Sequence, residues 1–219
     1  MPSACAEKLA RGEADAGLIP SIEFRRIPDL VRVEGLGIAA DSEVRSVLLV
    51  SKVPRGKIRS VSLDPASRTS AVLVRLLLER VYGLSPEYIA SSPDQADARL
   101  VIGDPALKAR LQGQVVLDLA AEWKSWTGYP FVFAFWAVRR DAWREELRDL
   151  FRSAHRRAME NFEEMVAEEA ARAGSDATLS RAMIEDYLRH SLHYELTRAD
   201  EEGLALFYRL AAEDQLLAL

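Results

Sequence analysis

The chain has 219 residues, a formal net charge of -5 and a single cysteine, Cys5. This length can bury the core of one large domain or two small ones, and its 49% of hydrophobic and 29% of charged residues are typical of a globular protein. The acidic balance argues against a nucleic-acid-binding protein, and the lone cysteine excludes a disulfide framework or a thiolate metal cluster. No apolar run is long enough to span a bilayer and the N-terminus lacks a signal-peptide core, so we expect a cytoplasmic protein.

Hydrophobic patterning predicts alternating helices and strands in the first part of the chain. A continuous apolar run at residues 45–50 is typical of a strand covered on both faces, and helices are predicted over residues 3–10 and 69–81. Strands that alternate with helices predict a mostly parallel α/β sheet. The remaining predicted strands lie at residues 14–19, 30–33, 61–63, 98–102, 115–119 and 129–138.

The rest of the chain is predicted to be almost entirely helical. Helices are expected over residues 141–169, with a break near Ser153, and then over residues 179–191 and 200–217. Such a helical tail must cover a face of the sheet.

The most informative segment joins the predicted strand at residues 61–63 to the helix that follows it. Ser67, Arg68, Thr69 and Ser70 occupy the first turn of that helix. Helix N-termini carry free N–H groups and a partial positive charge, so these side chains favour a small-anion site. Ser and Thr are also ordinary helix caps, but four such residues in a row exceed what one cap requires.

Further polar residues lie at strand ends, where ligands bind in open α/β sheets. Ser21 and Asp104 each follow a predicted strand, Thr127 and Gly128 precede one, and Ser46 is a lone hydroxyl at the start of the apolar strand. Each also has an ordinary interpretation, such as a turn residue for Ser21, a helix cap for Asp104 and a buried, backbone-bonded hydroxyl for Ser46. The residues alone therefore predict an α/β protein with a small-anion cleft.

The segments that carry these residues resemble the chorismate dehydratase family of the futalosine route to menaquinone, whose relatives include the 1,4-dihydroxy-6-naphthoate synthases. No single segment is specific, but five occur in the family's order. The resemblance covers residues 3–140 well and the helical tail only in general character. The segments read LARGEAD with LIPS (residues 9–21), VRSVLLVS (44–51), SRTS (67–70), IGDPAL (102–107) and, within residues 118–134, DL, Trp123 and WTGYPFVFA.

The resemblance implies an α/β fold of the type II periplasmic-binding-protein kind, with two lobes and a helical C-terminal tail. The hinge would be crossed near residues 51–54 and 134–139. The family begins with a further strand whose asparagine reaches the substrate, and this sequence starts after that segment. We expect a start assigned too late, with a truncated paralogue as the alternative. Lobe one would hold residues 1–51 and 139–219, and lobe two residues 52–138.

The resemblance also implies an enzyme that removes water from chorismate to give 3-(1-carboxyvinyloxy)benzoate, with no metal or organic cofactor. The family's substrate-contacting serine corresponds to Ser46, which is the expected catalytic residue, and its helix-start hydroxyls correspond to Ser67, Thr69 and Ser70. Thr69 and Ser70 would bind one carboxylate, and Ser46 the second carboxylate or the ring. Arg68 would be structural, folded over lobe two. The other expected substrate contacts are Ser21, Asp104, Thr127 and Gly128.

Two other functions stay open. One is a non-catalytic module that binds a small carboxylate, which binding without turnover would identify. The other is the sister synthase, which relies on a cleft histidine that none of His155, His190 and His193 matches. These histidines have no carboxylate or cysteine at ligand spacing, so we expect no metal site. The expected partner is a small dicarboxylate, chorismate, with no nucleic acid and no membrane.

Overall fold

A computed structural model describes residues 1–90, 93–109, 111–173 and 179–218, which form two lobes, each built on one β-sheet. The strands of the first sheet are β1 (Ala16–Pro20), β2 (Leu30–Ala40), β8 (Phe131–Arg139) and β9 (His193–Glu195). They lie in the order β1-β8-β2-β9, and each neighbouring pair is antiparallel.

The second sheet holds the middle of the chain. Its strands are β3 (Val47–Ser51), β4 (Ser60–Leu63), β5 (Glu87–Ala90), β6 (Ala98–Ile102) and β7 (Val115–Asp118). They lie in the order β5-β4-β6-β3-β7. β4 is parallel to both of its neighbours, whereas β3 is antiparallel to both of its own.

Helices cover the two sheets and form the C-terminal part of the chain. They are α1 (Pro2–Ala10), α2 (Arg68–Leu76), α3 (Asp104–Leu107), α4 (Leu119–Thr127), α5 (Glu146–Glu160), α6 (Phe162–Ala173), α7 (Arg181–Asp186) and α8 (Arg198–Glu213). A short 3₁₀ helix spans Ser21–Arg25, and π-helical turns at Leu77–Val81 and Tyr187–Ser191 extend α2 and α7.

Aromatic side chains fill the core where α4 and α8 pack against β8. Trp123, Phe131 and Phe207 are almost completely buried and contact one another edge to face, with ring centroids 5.1 to 6.1 Å apart. Each such pair contributes about 0.5–1.5 kcal/mol beyond its buried area. Gly203 allows α8 to lie this close, because a Cβ there would come within 2.5 Å of the Pro130 carbonyl oxygen.

The predicted mostly parallel sheet is wrong. Five of the seven pairings among the described strands are antiparallel. The chain crosses between the lobes after β2 and again before β8, so strands that follow one another in sequence do not build one parallel sheet.

Several element bounds also differ from the prediction. The segment after β7 forms α4, which was not predicted, because Asp118 caps a helix there by accepting hydrogen bonds from the N–H groups of Ala120 and Ala121. The predicted tail helix breaks at Asn161 and not near Ser153, and the short strand β9 interrupts the tail.

The sheets assign two strands differently from the predicted lobe boundaries. β3 was placed in lobe one, but it pairs with β6 and β7 in the second sheet. β8 was placed in lobe two, but it pairs with β1 and β2 in the first sheet. By sheet membership, the chain passes between the lobes at residues 41–46 and 119–130.

Candidate active site

One edge of the second sheet carries most of the predicted site residues. β3 runs opposite to β6, and Val47 pairs with Ile102, so β3 starts where β6 ends. β4 is parallel to β6 and ends at the same edge. Ser46 precedes β3, residues 67–70 follow β4, and Asp104 follows β6. The structure therefore gathers these residues along the strand ends where α/β sheets bind ligands.

The N-terminus of α2 presents a buried hydroxyl that has no partner in the described part of the chain. Asp64 shapes the preceding turn, since its carboxylate accepts the N–H of Ala66 at 2.8 Å and its carbonyl accepts that of Ser67 at 2.9 Å. Ser67 occupies the N-cap position, yet its side chain makes no cap bond; it is 5% exposed and finds no partner among the described residues. A buried, unsatisfied hydroxyl costs free energy unless a ligand pairs with it, so this helix end suits a small anion.

Ser21 connects the first lobe to this helix. Its hydroxyl donates to the Val132 carbonyl at 2.8 Å and lies 3.4 Å from the hydroxyl of Thr69 in the first turn of α2. Thr69 Oγ1 accepts the N–H of Ile22 at 3.3 Å, which leaves the Thr69 hydrogen for Ser21 or for a ligand. Ser70, in the same turn, is also buried.

Ser46 pairs with a tyrosine of the helical tail. Its Oγ lies 2.8 Å from Tyr187 Oη, and the serine is buried. Burial raises the pKa of Tyr187, the charge of Asp104 raises it further, and the Ser46 hydrogen bond and the nearby Arg45 partly oppose this. The phenol therefore stays protonated, and the pair offers neutral hydroxyl groups.

Asp104 is the first residue of α3, just after β6. It is exposed at the start of α3, after Gly103, which adopts a positive φ of 64°. With Tyr187, Ile184 and Leu188 it lines a cavity of about 560 Å³ between α3 and the tail. The charge of Asp104 adds to the effect of burial in raising the pKa of Tyr187.

Arg68 ties the two lobes together. The buried carboxylate of Glu23 accepts hydrogen bonds from Arg26 and Arg68, both at 2.8 Å, and Arg68 also pairs with Glu7 at 2.6 Å. The prediction that Arg68 folds over lobe two is therefore wrong, because both of its carboxylate partners belong to the first lobe. Arg68 and Glu23 line a second cavity of about 480 Å³ that also borders the end of β4.

Thr127 and Gly128 end α4. The Thr127 hydroxyl donates to the Trp123 carbonyl at 2.8 Å and accepts the N–H of Tyr129 at 3.2 Å. Gly128 takes the left-handed conformation, with φ 77°, that closes the helix. These bonds give both residues a capping role, and a contact with substrate stays a prediction.

Within the described ranges, no three side chains of His, Cys, Asp or Glu lie close enough together to hold a metal ion. In that same part of the chain, no helix is both long and apolar enough to cross a bilayer.

Sequence reasoning missed Tyr187 and Glu23. Tyr187 is separated from Ser46 by 141 positions, and no local pattern connects them. The sequence shows Glu23 as a charged residue that follows a strand. Only the fold shows that Glu23 is buried and pairs with two arginines.

The two sheets and the hydroxyl-lined edge between them define a two-lobed fold of the periplasmic-binding-protein kind. An Archaeoglobus fulgidus protein of known structure superposes with a TM-score of 0.76 at 19% identity, covering 99% of this chain and 85% of that one. The periplasmic aliphatic sulphonate binding protein SsuA from Escherichia coli gives a TM-score of 0.61 at 21% identity, covering 99% of this chain and 80% of that one.

The chain belongs to a menaquinone biosynthesis family, whose sequence profile matches residues 1–213. The chorismate dehydratase of Thermus thermophilus is 29% identical over 94% of this chain and 83% of its own length. The chorismate dehydratase of Campylobacter jejuni is 33% identical over 65% of this chain, a match that spans about half (53%) of that protein.

Proposed function

We propose that this protein is a cytoplasmic lyase that eliminates water from chorismate, giving 3-(1-carboxyvinyloxy)benzoate for menaquinone biosynthesis by the futalosine route. The observation that carries the proposal is the buried Ser67 hydroxyl at the N-terminus of α2, which has no partner among the described residues. Thr69, in the first turn of the same helix, contacts Ser21 of the other lobe. Family membership and the names of the Thermus thermophilus and Campylobacter jejuni relatives support the choice of substrate.

A dicarboxylate suits this edge of the second sheet. Chorismate carries two carboxylates, each of which accepts several hydrogen bonds. One would bind at the first turn of α2, to backbone N–H groups and to the hydroxyls of Ser67, Thr69 and Ser70. Ser46 would donate a hydrogen bond to the other carboxylate or orient the ring.

The elimination removes a ring proton and expels hydroxide from the neighbouring carbon, so that one water is lost and an aromatic ring forms. Ser46 has a phenol as its hydrogen-bond partner and no carboxylate or imidazole in its described hydrogen bonds. A carboxylate of the substrate would then accept the ring proton, and the protein would fix the reacting geometry and exclude water.

A non-catalytic carboxylate-binding module is the second candidate, and the lack of a base bonded to Ser46 favours it. The sister synthase relies on a cleft histidine. In the described hydrogen bonds, His155 pairs with Glu195 and His193 with Asp200, and neither histidine bonds to Ser46.

One assay distinguishes the dehydratase from the carboxylate-binding module. The purified chain is incubated with chorismate, and the recovered small molecule is analysed by mass spectrometry. A product lighter by one water supports the dehydratase. Unchanged chorismate, together with a saturable calorimetric titration, would assign the binding module instead.

A further inference from the structure

Backbone contacts fix Ser46 from the second lobe. Arg45, just before it, has a left-handed φ of 61°, which a non-glycine residue adopts only when its surroundings hold it there. The Asp118 carboxylate provides this support, since it accepts the N–H of Val44 at 3.2 Å and that of Arg45 at 2.6 Å. The same carboxylate caps α4, so the start of β3 is tied to the end of β7.

The side chain of Arg45 reaches the helical tail. Its guanidinium donates to Ser191 Oγ at 2.8 Å and pairs with Asp186 at 2.7 Å. Asp186 immediately precedes the π-helical turn Tyr187–Ser191, and Ser191 is its last residue. Arg45 therefore holds the turn that carries Tyr187 against the strand start that carries Ser46.

This arrangement brings two hydroxyls together. Tyr187 Oη and Ser46 Oγ are 2.8 Å apart, and Tyr187 also borders the cavity beside Asp104. A phenol is a stronger hydrogen-bond donor than an aliphatic alcohol. When Tyr187 donates to Ser46, the serine hydrogen is free to point at another acceptor.

We propose that Tyr187 is a positioning residue for the dehydration: its phenol directs the Ser46 hydroxyl toward the substrate, which makes the helical tail part of the active site. The inference rests on the proposed function, because it assigns a partner to the serine of that site. Arg45 and Asp118 do not bond to either hydroxyl in this proposal. Their contacts hold the two hydroxyls within hydrogen-bonding distance of each other.

Tyr187→Phe tests the inference, because it removes one oxygen and keeps the ring that packs against the cavity. We expect kcat for chorismate to fall about five- to tenfold with a smaller change in KM, since the hydrogen bond that orients the Ser46 hydroxyl is lost while that hydroxyl itself is kept. Ser46→Ala combined with Tyr187→Phe should be no slower than Ser46→Ala alone, because the tyrosine acts through the serine.

Tyr194→Phe is the matched control. The Tyr194 phenol donates to the Leu188 carbonyl at 3.1 Å, so it also anchors the turn, and none of its described hydrogen bonds reaches Ser46. If the Tyr187–Ser46 hydrogen bond served only to hold the tail in place, Tyr187→Phe would behave like Tyr194→Phe. Both variants would then have lower thermal stability and an unchanged kcat.

The outcomes keep the two proposals apart. Wild-type turnover with an unchanged kcat for Tyr187→Phe, or a loss that adds fully to that of Ser46→Ala, would overturn the role of Tyr187 and leave the dehydratase standing. A folded wild-type chain that does not convert chorismate would overturn the proposed function, and the role of Tyr187 with it.

Discussion

The hydroxyl of Ser21, in the first lobe, lies 3.4 Å from that of Thr69, at the N-terminus of α2 in the second lobe. Neither residue is exposed, and Thr69 Oγ1 also accepts the N–H of Ile22. The two lobes thus meet through polar contacts at the point where we propose that a carboxylate binds.

Thr69→Val should reduce both stability and activity. Valine has the shape of threonine without the acceptor, so the buried N–H of Ile22 loses its partner. We expect the free energy of unfolding to fall by about 1–2 kcal/mol. The kcat/KM for chorismate should fall as well. Urea unfolding and initial rates measure the two effects, and Thr69→Ser, which keeps the hydroxyl, should restore most of both.

Ser67→Ala should have the opposite effect on stability. The variant removes a buried hydroxyl that has no partner among the described residues, so the free energy of unfolding should stay unchanged or rise by up to about 1 kcal/mol. The KM for chorismate should rise, because a donor to the carboxylate is lost.

Ser180→Ala is the control for that variant. Ser180 is also a helix N-cap, but its hydroxyl accepts the N–H of Met183 at 3.2 Å. Its replacement should cost about 1 kcal/mol of stability. Equal destabilisation by the two alanine variants would contradict the view that Ser67 is kept for a ligand.

Glu23→Gln should destabilise the contact between the lobes. The Glu23 side chain is 4% exposed and pairs with both Arg26 and Arg68, so the change leaves two guanidinium groups without their shared carboxylate. Because Arg68 is partly exposed to water, we expect a loss of about 2–3 kcal/mol and not the full cost of breaking a buried pair. Glu202→Gln, which breaks an exposed pair with Arg198, should change the unfolding midpoint little. A similar small change for Glu23→Gln would refute the role of this cluster.

Asp200 should contribute stability that is lost in acid. Burial alone would raise its pKa, but hydrogen bonds from His193 and Thr197 outweigh that effect and hold the pKa below its ordinary value. A carboxylate with a depressed pKa in the folded state stabilises the fold above its ordinary pKa of about 4, and this contribution disappears as the pH falls through the folded-state value. Wild type should therefore exceed Asp200→Asn in unfolding free energy at pH 6. The difference should shrink below about pH 4. A difference that does not depend on pH would contradict the assignment.

The sequence was sufficient to predict most of the local structure. The apolar run before Ser51 and the helix after Ser67 form where the patterning places them, because strand and helix periodicities are local properties. The pairing of strands was not predictable in this way. β3 joins the second sheet and runs antiparallel to β6, which depends on where the chain crosses between the lobes.

Some residues of the candidate site were predictable from the sequence and others were not. The hydroxyls of Ser46 and Thr69 stand out beside apolar segments, and the fold brings both to one sheet edge. Tyr187 had no such signal, since its relation to Ser46 exists only after the tail has packed against the second lobe. The direction in which the Arg68 side chain folds was not predictable, because the burial of its partner Glu23 is a tertiary effect.

The measurement that tests this account most directly is the steady-state conversion of chorismate by the wild-type chain and by Ser46→Ala, with both proteins shown to be folded by circular dichroism. We predict that wild type forms 3-(1-carboxyvinyloxy)benzoate and that kcat/KM falls at least tenfold in the variant, which corresponds to about 1.4 kcal/mol of transition-state stabilisation. Equal rates for the two proteins would contradict the role of Ser46, and folded wild-type protein that leaves chorismate unchanged would contradict the dehydratase itself.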